Sequence, residues 1–153
     1  MKKQNRTTLT KSVLMIALAL GVAAISASAQ SYDHITAKIP FAFTVGGKTL
    51  PAGTYNVRHL GFNAPDLLSL NGRDTQVIAS GFTNAIQARE ASAQTKLVFH
   101  KYGDQYFLSE LWIVGDDTGR QFLKSRAERE LSREMARNSS RPEMVAIVAP
   151  GQP

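Results

Sequence analysis

The chain has 153 residues, with 18 Lys and Arg against 12 Asp and Glu, three His and no Cys. The lack of cysteine excludes disulfide cross-links and zinc sites built on thiolates. The length suits a single domain that buries a core large enough to fold without cross-links.

The first 29 residues have the pattern of a cleaved export signal. Basic residues precede an apolar run over residues 12–25, and the box Ala27-Ser28-Ala29 stands directly before Gln30. This run is shorter than the about 20 residues that a membrane span requires. We therefore predict cleavage after Ala29, a periplasmic or extracellular location, and no transmembrane span after cleavage. Cleavage leaves 14 basic and 12 acidic residues, so the net charge falls from +6 to +2.

Short runs with the period of β-strands follow, separated by Gly, Asn, Asp or Pro. Residues 35–45 form the first run, in which Pro40 indicates an edge strand or a bulge because it cannot donate to a ladder. Gly46-Gly47 ends this run. Residues 54–60 form the next predicted strand, and a turn over residues 50–53 leads into it.

Two hairpins are predicted next. Asn71-Gly72 separates residues 67–70 from residues 75–82 and has the composition of a type I′ turn. Gly103-Asp104 joins residues 97–102 to residues 105–114, a run that is apolar on both faces and therefore predicts a central strand. Its two predicted faces are Tyr106, Leu108, Trp112 and Val114 on one side, and Phe107, Leu111 and Ile113 on the other. Residues 120–123 form a short return strand.

A helix is predicted from Ser125 to about Asn138. Ser125 and Glu128 have the spacing of a capping box, in which each side chain bonds the backbone N–H of the other residue. Ala127, Leu131 and Met135 form an apolar stripe that is expected to pack on the sheet. Pro142 ends the helical region, and residues 144–149 form either an edge strand or a loose tail.

Four arginines lie on one side of this helix. Arg126, Arg129, Arg133 and Arg137 are spaced by 3, 4 and 4 residues, so at about 100° per residue they share one face, opposite Leu131. We call these four residues the arginine face. Guanidinium groups bind phosphates and carboxylates through a planar fork, so this face fits lipid headgroups or an anionic polymer of the cell envelope. The alternative is a solvated surface that Glu130 and Glu134 partly neutralise.

Other classes of function lack support in the sequence. There is no cysteine nucleophile and no G-x-S-x-G motif, and His34, His59 and His100 have no metal-ligand spacing. We therefore predict no enzymatic activity, no cofactor and no metal. A zinc pair and a helix-turn-helix pattern are also lacking, which argues against nucleic acid as a partner.

Several segments together resemble a family of uncharacterised exported bacterial proteins. They are IPFAFTVGGK at residues 39–48, LPAGTYNV at 50–57, LVFHKYGDQYFL at 97–108 and KSRAEREL at 124–131. The resemblance covers most of the chain after the signal peptide and implies export and a β fold. It carries no activity, ligand or catalytic residue.

The expected fold is all-β, a small antiparallel β-sandwich or partly closed barrel of about six to eight strands with one C-terminal α-helix. The expected domains are a signal peptide at 1–29, a single β-rich domain ending in a helix at 30–141, and a short strand or tail at 142–153. The predicted core comprises Phe41, Phe43, Tyr55, Val57, Phe99, Phe107, Leu111, Trp112 and Ile113.

The functional hypothesis is a non-catalytic envelope module, binding or structural, that contacts an anionic partner through the arginine face. The alternative is a carrier that encloses a small apolar ligand in a barrel interior. The sequence leaves the oligomeric state open.

Overall fold

The computed structural model describes residues 34–60, 66–74 and 77–150, which form ten strands and one helix. The predicted signal peptide and its cleavage box lie outside these residues. The elements are β1 Ile35–Ile39, β2 Phe43–Val45, β3 Lys48–Leu50, β4 Gly53–His59, β5 Leu67–Gly72, β6 Ile78–Gln87, β7 Lys96–Tyr102, β8 Gln105–Trp112, β9 Thr118–Phe122, α1 Arg126–Arg137 and β10 Glu143–Val148. The predicted all-β fold with one C-terminal helix is confirmed.

The strands form one sheet that is not closed into a barrel. Its order is β1-β4-β5-β6-β9-β8-β2-β3, and β7 pairs with the other edge of β8 and with β10. The long strand β6 connects the two halves, because residues 78–82 pair with β5 and residues 83–87 pair with β9. The named strands pair antiparallel, apart from β2 and β8, which pair parallel.

The hydrophobic core lies between the two halves of the sheet. Phe43 on β2 meets Tyr55 on β4 edge-to-face, with ring centroids 5.2 Å apart, and Phe43 makes a similar contact with Phe99 on β7. All three rings are almost completely buried. The hydroxyl of Tyr55 donates to the carbonyl of Pro51 at 2.6 Å, and burial raises the pKa of this hydroxyl.

The predicted core is confirmed for Phe43, Tyr55, Val57, Phe99 and Leu111, and Phe107 is buried on the opposite face of β8. Phe41 and Ile113 are only partly buried against the core. Trp112 is also half-buried, and its ring packs against Gly119, where an added Cβ would lie 2.7 Å from the ring. Phe41 lies in the break between β1 and β2, and Ile113 follows the end of β8.

The predicted first strand, residues 35–45, is two strands. β1 ends at Ile39 and pairs with β4, whereas β2 begins at Phe43 and pairs with β3 and β8. Pro40 lies in the break, where its missing N–H removes no ladder bond. This division and the extra strand β3 raise the number of strands in the described residues above the predicted six to eight.

The predicted turn at Asn71-Gly72 is wrong. Both residues continue β5, where Asn71 is opposite Ile78 on β6 and Gly72 is opposite Tyr55 on β4. The backbone N–H of Arg73 also bonds to the carbonyl of Thr54 at 2.8 Å. The neighbouring strand β4 therefore provides hydrogen-bond partners that keep β5 extended beyond Asn71-Gly72, where the local sequence favours a turn.

A bulge in β8 changes the faces that alternation predicts. Val98 is opposite Glu110 but Phe99 is opposite Leu108, so Ser109 is an additional residue in β8. Leu108 and Leu111 both point into the core as a result, although strict alternation places them on opposite faces. The prediction that β8 is buried on both faces is confirmed, because Phe107 on its other face is also buried.

The C-terminal segment forms a strand rather than a loose tail. β10 pairs along its whole length with β7, from Glu143 opposite Lys101 to Val148 opposite Lys96. The chain then places Ala149 in the core, where its N–H bonds to the carbonyl of Thr95 at 2.9 Å.

Candidate anion-binding face and its anchor

Both ends of α1 are capped by the chain itself. The Ser125 hydroxyl accepts a hydrogen bond from the N–H of Glu128 at 3.2 Å, which is one half of the predicted capping box. At the other end Ser139 has a φ of 53°. The N–H of Ser139 bonds to Ala136 and that of Ser140 to Met135, which is the bonding pattern of a Schellman motif.

The buried side of α1 differs from the predicted stripe. Glu128 is buried, and Leu131, Ser132 and Met135 are partly buried, whereas Ala127 is exposed. The prediction that Ala127 packs on the sheet is therefore wrong. The buried side of the helix is rotated by only about 50° relative to that prediction, because Leu131 and Met135 belong to both.

The rotation places the Glu128 carboxylate against two side chains of β7. Its Oε1 lies 2.9 Å from Nδ1 of His100 and 3.5 Å from the hydroxyl of Tyr102, the outer limit of a hydrogen bond. The Glu128 side chain therefore bonds the sheet, and the second half of the predicted capping box does not form. Buried carboxylates require such partners because an unpaired charge away from water is strongly disfavoured.

The Ser109 hydroxyl lies 3.2 Å from Nε2 of His100 and extends this network to β8. When Nδ1 of His100 donates its hydrogen to Glu128, Nε2 accepts a hydrogen bond from the Ser109 hydroxyl. We call Glu128, His100, Tyr102 and Ser109 the anchor network. It links the helix to two neighbouring strands.

In the anchor network a serine hydroxyl, an imidazole and a carboxylate are linked in the same order as in the catalytic triad of serine hydrolases. Ser109 and Glu128 are each only 4% exposed, and Ser109 lies within a central strand. Both side chains are therefore largely shielded from solvent. In this arrangement the network holds the helix on the sheet.

Sequence reasoning missed the anchor network, although part of the signal is present. Glu128, Leu131 and Met135 follow a spacing of i, i+3 and i+7, which is as good a helical stripe as the one that begins at Ala127. The pairing of His100 with Ser109 depends on the bulge, which no local pattern indicates.

The arginine face points away from the anchor network. Arg126, Arg129, Arg133 and Arg137 are all exposed, as the predicted spacing required. Arg126 forms an ion pair with Glu130 at 3.0 Å, and Nη1 of Arg129 donates to the carbonyl of Lys124 at 2.7 Å. The Arg126 and Glu130 side chains are 88% and 59% exposed, so water screens this pair and an external anion competes with it at low cost.

Replacing Glu128 by Gln is expected to lower the free energy of unfolding by about 1–3 kcal/mol, because the amide keeps the size of the side chain but loses the charge-assisted bond to His100. Urea unfolding measures the difference. Glu130→Gln is the matched control, since Glu130 is exposed on the same helix, and is expected to change the value by about 0.5 kcal/mol or less. Equal effects of the two substitutions would contradict an anchoring role for Glu128.

Two wider findings concern the described part of the chain. None of its helices is both long and apolar enough to cross a membrane. Within the same residues, no group of three His, Asp or Glu side chains is placed to hold a metal ion. Comparisons with protein-family models, with curated proteins and with solved structures found no match.

Proposed function

We propose that this protein is exported through a cleaved signal peptide and acts as a non-catalytic envelope module that binds an anionic partner through the arginine face. The observation that carries the proposal is the orientation of α1. The anchor network holds one side of the helix against the sheet, and four guanidinium groups remain exposed on the other side.

The charge distribution supports a localised contact. Seven of the 14 basic residues that follow residue 29 lie between residues 120 and 141, where there are three acids. Helix α1 presents four of these seven charges within about 17 Å, so one polyanion or one anionic surface can contact several of them together.

The alternative of a small-ligand carrier depends on the interior of a barrel. The sheet of the described strands is not closed into one, and large side chains such as Phe43, Tyr55 and Phe99 fill the space between its halves.

The test expresses the full chain in a host that exports it and measures binding by the exported protein. N-terminal sequencing of the exported protein is expected to begin at Gln30. This protein is sedimented with phosphatidylglycerol-containing vesicles and, separately, with long-chain polyphosphate on beads, across a salt series. Arg129→Ala, Arg133→Ala and Arg137→Ala are combined in one variant. At low salt we expect a roughly hundredfold loss of affinity, from about 1 kcal/mol for each basic residue near an anionic surface.

The matched control combines Lys38→Ala, Arg73→Ala and Arg89→Ala, which removes the same charge from exposed positions outside the helix. Its binding is expected to remain within a few-fold of the unmodified protein, because long-range attraction is screened beyond about 10 Å at moderate salt. Equal losses in both variants, or no binding of any anionic probe at low salt, would refute the arginine face as the contact.

A further inference from the structure

Four large apolar side chains lie side by side across the outer face of the sheet. They are Leu60, Leu67, Phe82 and Leu123, which we call the apolar row. Leu67 is directly opposite Phe82, and backbone bonds join Leu60 to Leu67 at 3.0 Å and Leu123 to Phe82 at 2.9 Å. Leu60, Phe82 and Leu123 are 42%, 62% and 55% exposed. With strands about 4.8 Å apart, the row is about 14 Å long.

The neighbouring positions of the same face are polar. The adjacent row of residues across these strands consists of Arg58, Ser69 and Ser80, with Arg58 opposite Ser69 and Ser69 opposite Ser80. Scattered exposed apolar residues are ordinary, but a contiguous row bordered by polar residues marks an interaction surface.

A basic border begins at one end of the apolar row. Leu123 is followed directly by Lys124, and the Lys124 carbonyl accepts the hydrogen bond from Arg129. The Arg129 guanidinium is thus held close to the end of the row, while Nζ of Lys124 lies 3.4 Å from the Ser132 hydroxyl. Apolar and cationic groups therefore lie together at the start of α1.

We propose that Phe82 and Leu123, together with Lys124 and Arg129, dock on the surface of an anionic lipid bilayer. This inference rests on the proposed function and specifies its partner. Peripheral membrane binding combines buried apolar area with attraction to anionic headgroups, and this surface provides both.

Charge favours a bilayer over the other occupants. An acidic polymer without acyl chains gives the apolar side chains nothing to bury against. A second copy related by a two-fold axis along the row would bring Lys124 and Arg129 close to their own counterparts, and like charges repel.

The experiment compares two double variants of the exported protein. The first is Phe82→Thr with Leu123→Thr. The control is Ile78→Thr with Val148→Thr, which removes two exposed apolar residues outside the row, one of them 61% exposed on the same strand as Phe82. Threonine is used because it retains β-propensity. Each is measured with phosphatidylcholine vesicles with and without phosphatidylglycerol, and with polyphosphate.

The row variant is expected to lose about tenfold or more in binding to the anionic vesicles, with unchanged affinity for polyphosphate, while the control matches the unmodified protein. Unchanged vesicle binding by the row variant would overturn this inference, and a loss in the triple arginine variant would then still support the arginine face. No loss in either variant would refute both proposals. Sedimentation that shows a dimer abolished by the row substitutions would assign the row to a second copy and overturn the lipid partner.

Discussion

Phe107→Ala is expected to lower the free energy of unfolding by about 3–5 kcal/mol. The ring is 2% exposed on the face of β8 that is opposite the central core. It meets Tyr102 edge-to-face at 5.6 Å, and its strand partner is His100 of the anchor network. Removing the ring therefore leaves a cavity beside the residues that hold α1. Urea unfolding followed by circular dichroism measures the loss.

Phe82→Ala is the matched control for this substitution, because it removes the same ring from a position that is 62% exposed. Its expected effect is about 0.5 kcal/mol or less. An effect of Phe107→Ala below about 1 kcal/mol would show that the ring is not part of a packed cluster.

Gly46→Ala is expected to cost about 2–5 kcal/mol or to prevent folding. Gly46 begins the turn between β2 and β3 with a φ of +58°, where an alanine is disfavoured by about 1–2 kcal/mol. A Cβ there would also lie 2.0 Å from the carbonyl oxygen of Ser80, which belongs to the backbone of β6 and cannot turn aside. The hairpin would have to separate from β6 to accommodate the methyl group.

Gly47→Ala separates the two causes, since Gly47 has a φ of +83° but a Cβ there would meet nothing within 4 Å. Its expected cost is only the conformational term of about 1–2 kcal/mol. Thermal unfolding of both variants tests the contact. Similar melting temperatures for Gly46→Ala and Gly47→Ala would mean that the turn does not rest on β6.

Sequence patterns predicted the features that depend on neighbours along the chain. The hairpin at Gly103-Asp104 forms as expected, with a φ of +58° at Gly103 and Tyr102 opposite Gln105. The helix follows its Ser125 cap closely. The exposure of the four arginines also followed from spacing alone, because a helix fixes which residues share a face.

Features that depend on distant strands were not predictable in this way. Asn71-Gly72 favours a turn locally, but pairing of β5 with β4 keeps the chain extended. The bulge at Ser109 and the buried position of Glu128 are set by contacts between β7, β8 and α1. The apolar row is likewise assembled from residues of four separate segments, so no single segment shows it.

The parallel pairing of β2 with β8 has a consequence for the kinetics of folding. Phe43 on β2 is paired with Tyr106 on β8, 63 positions further along the chain. The β2–β3 hairpin therefore remains without its long-range partner until the chain past Phe107 is available, and closing so large a loop precedes any gain from the contact. Long-range pairs form slowly, so docking of the β2–β3 hairpin on β8 is expected to dominate the refolding time.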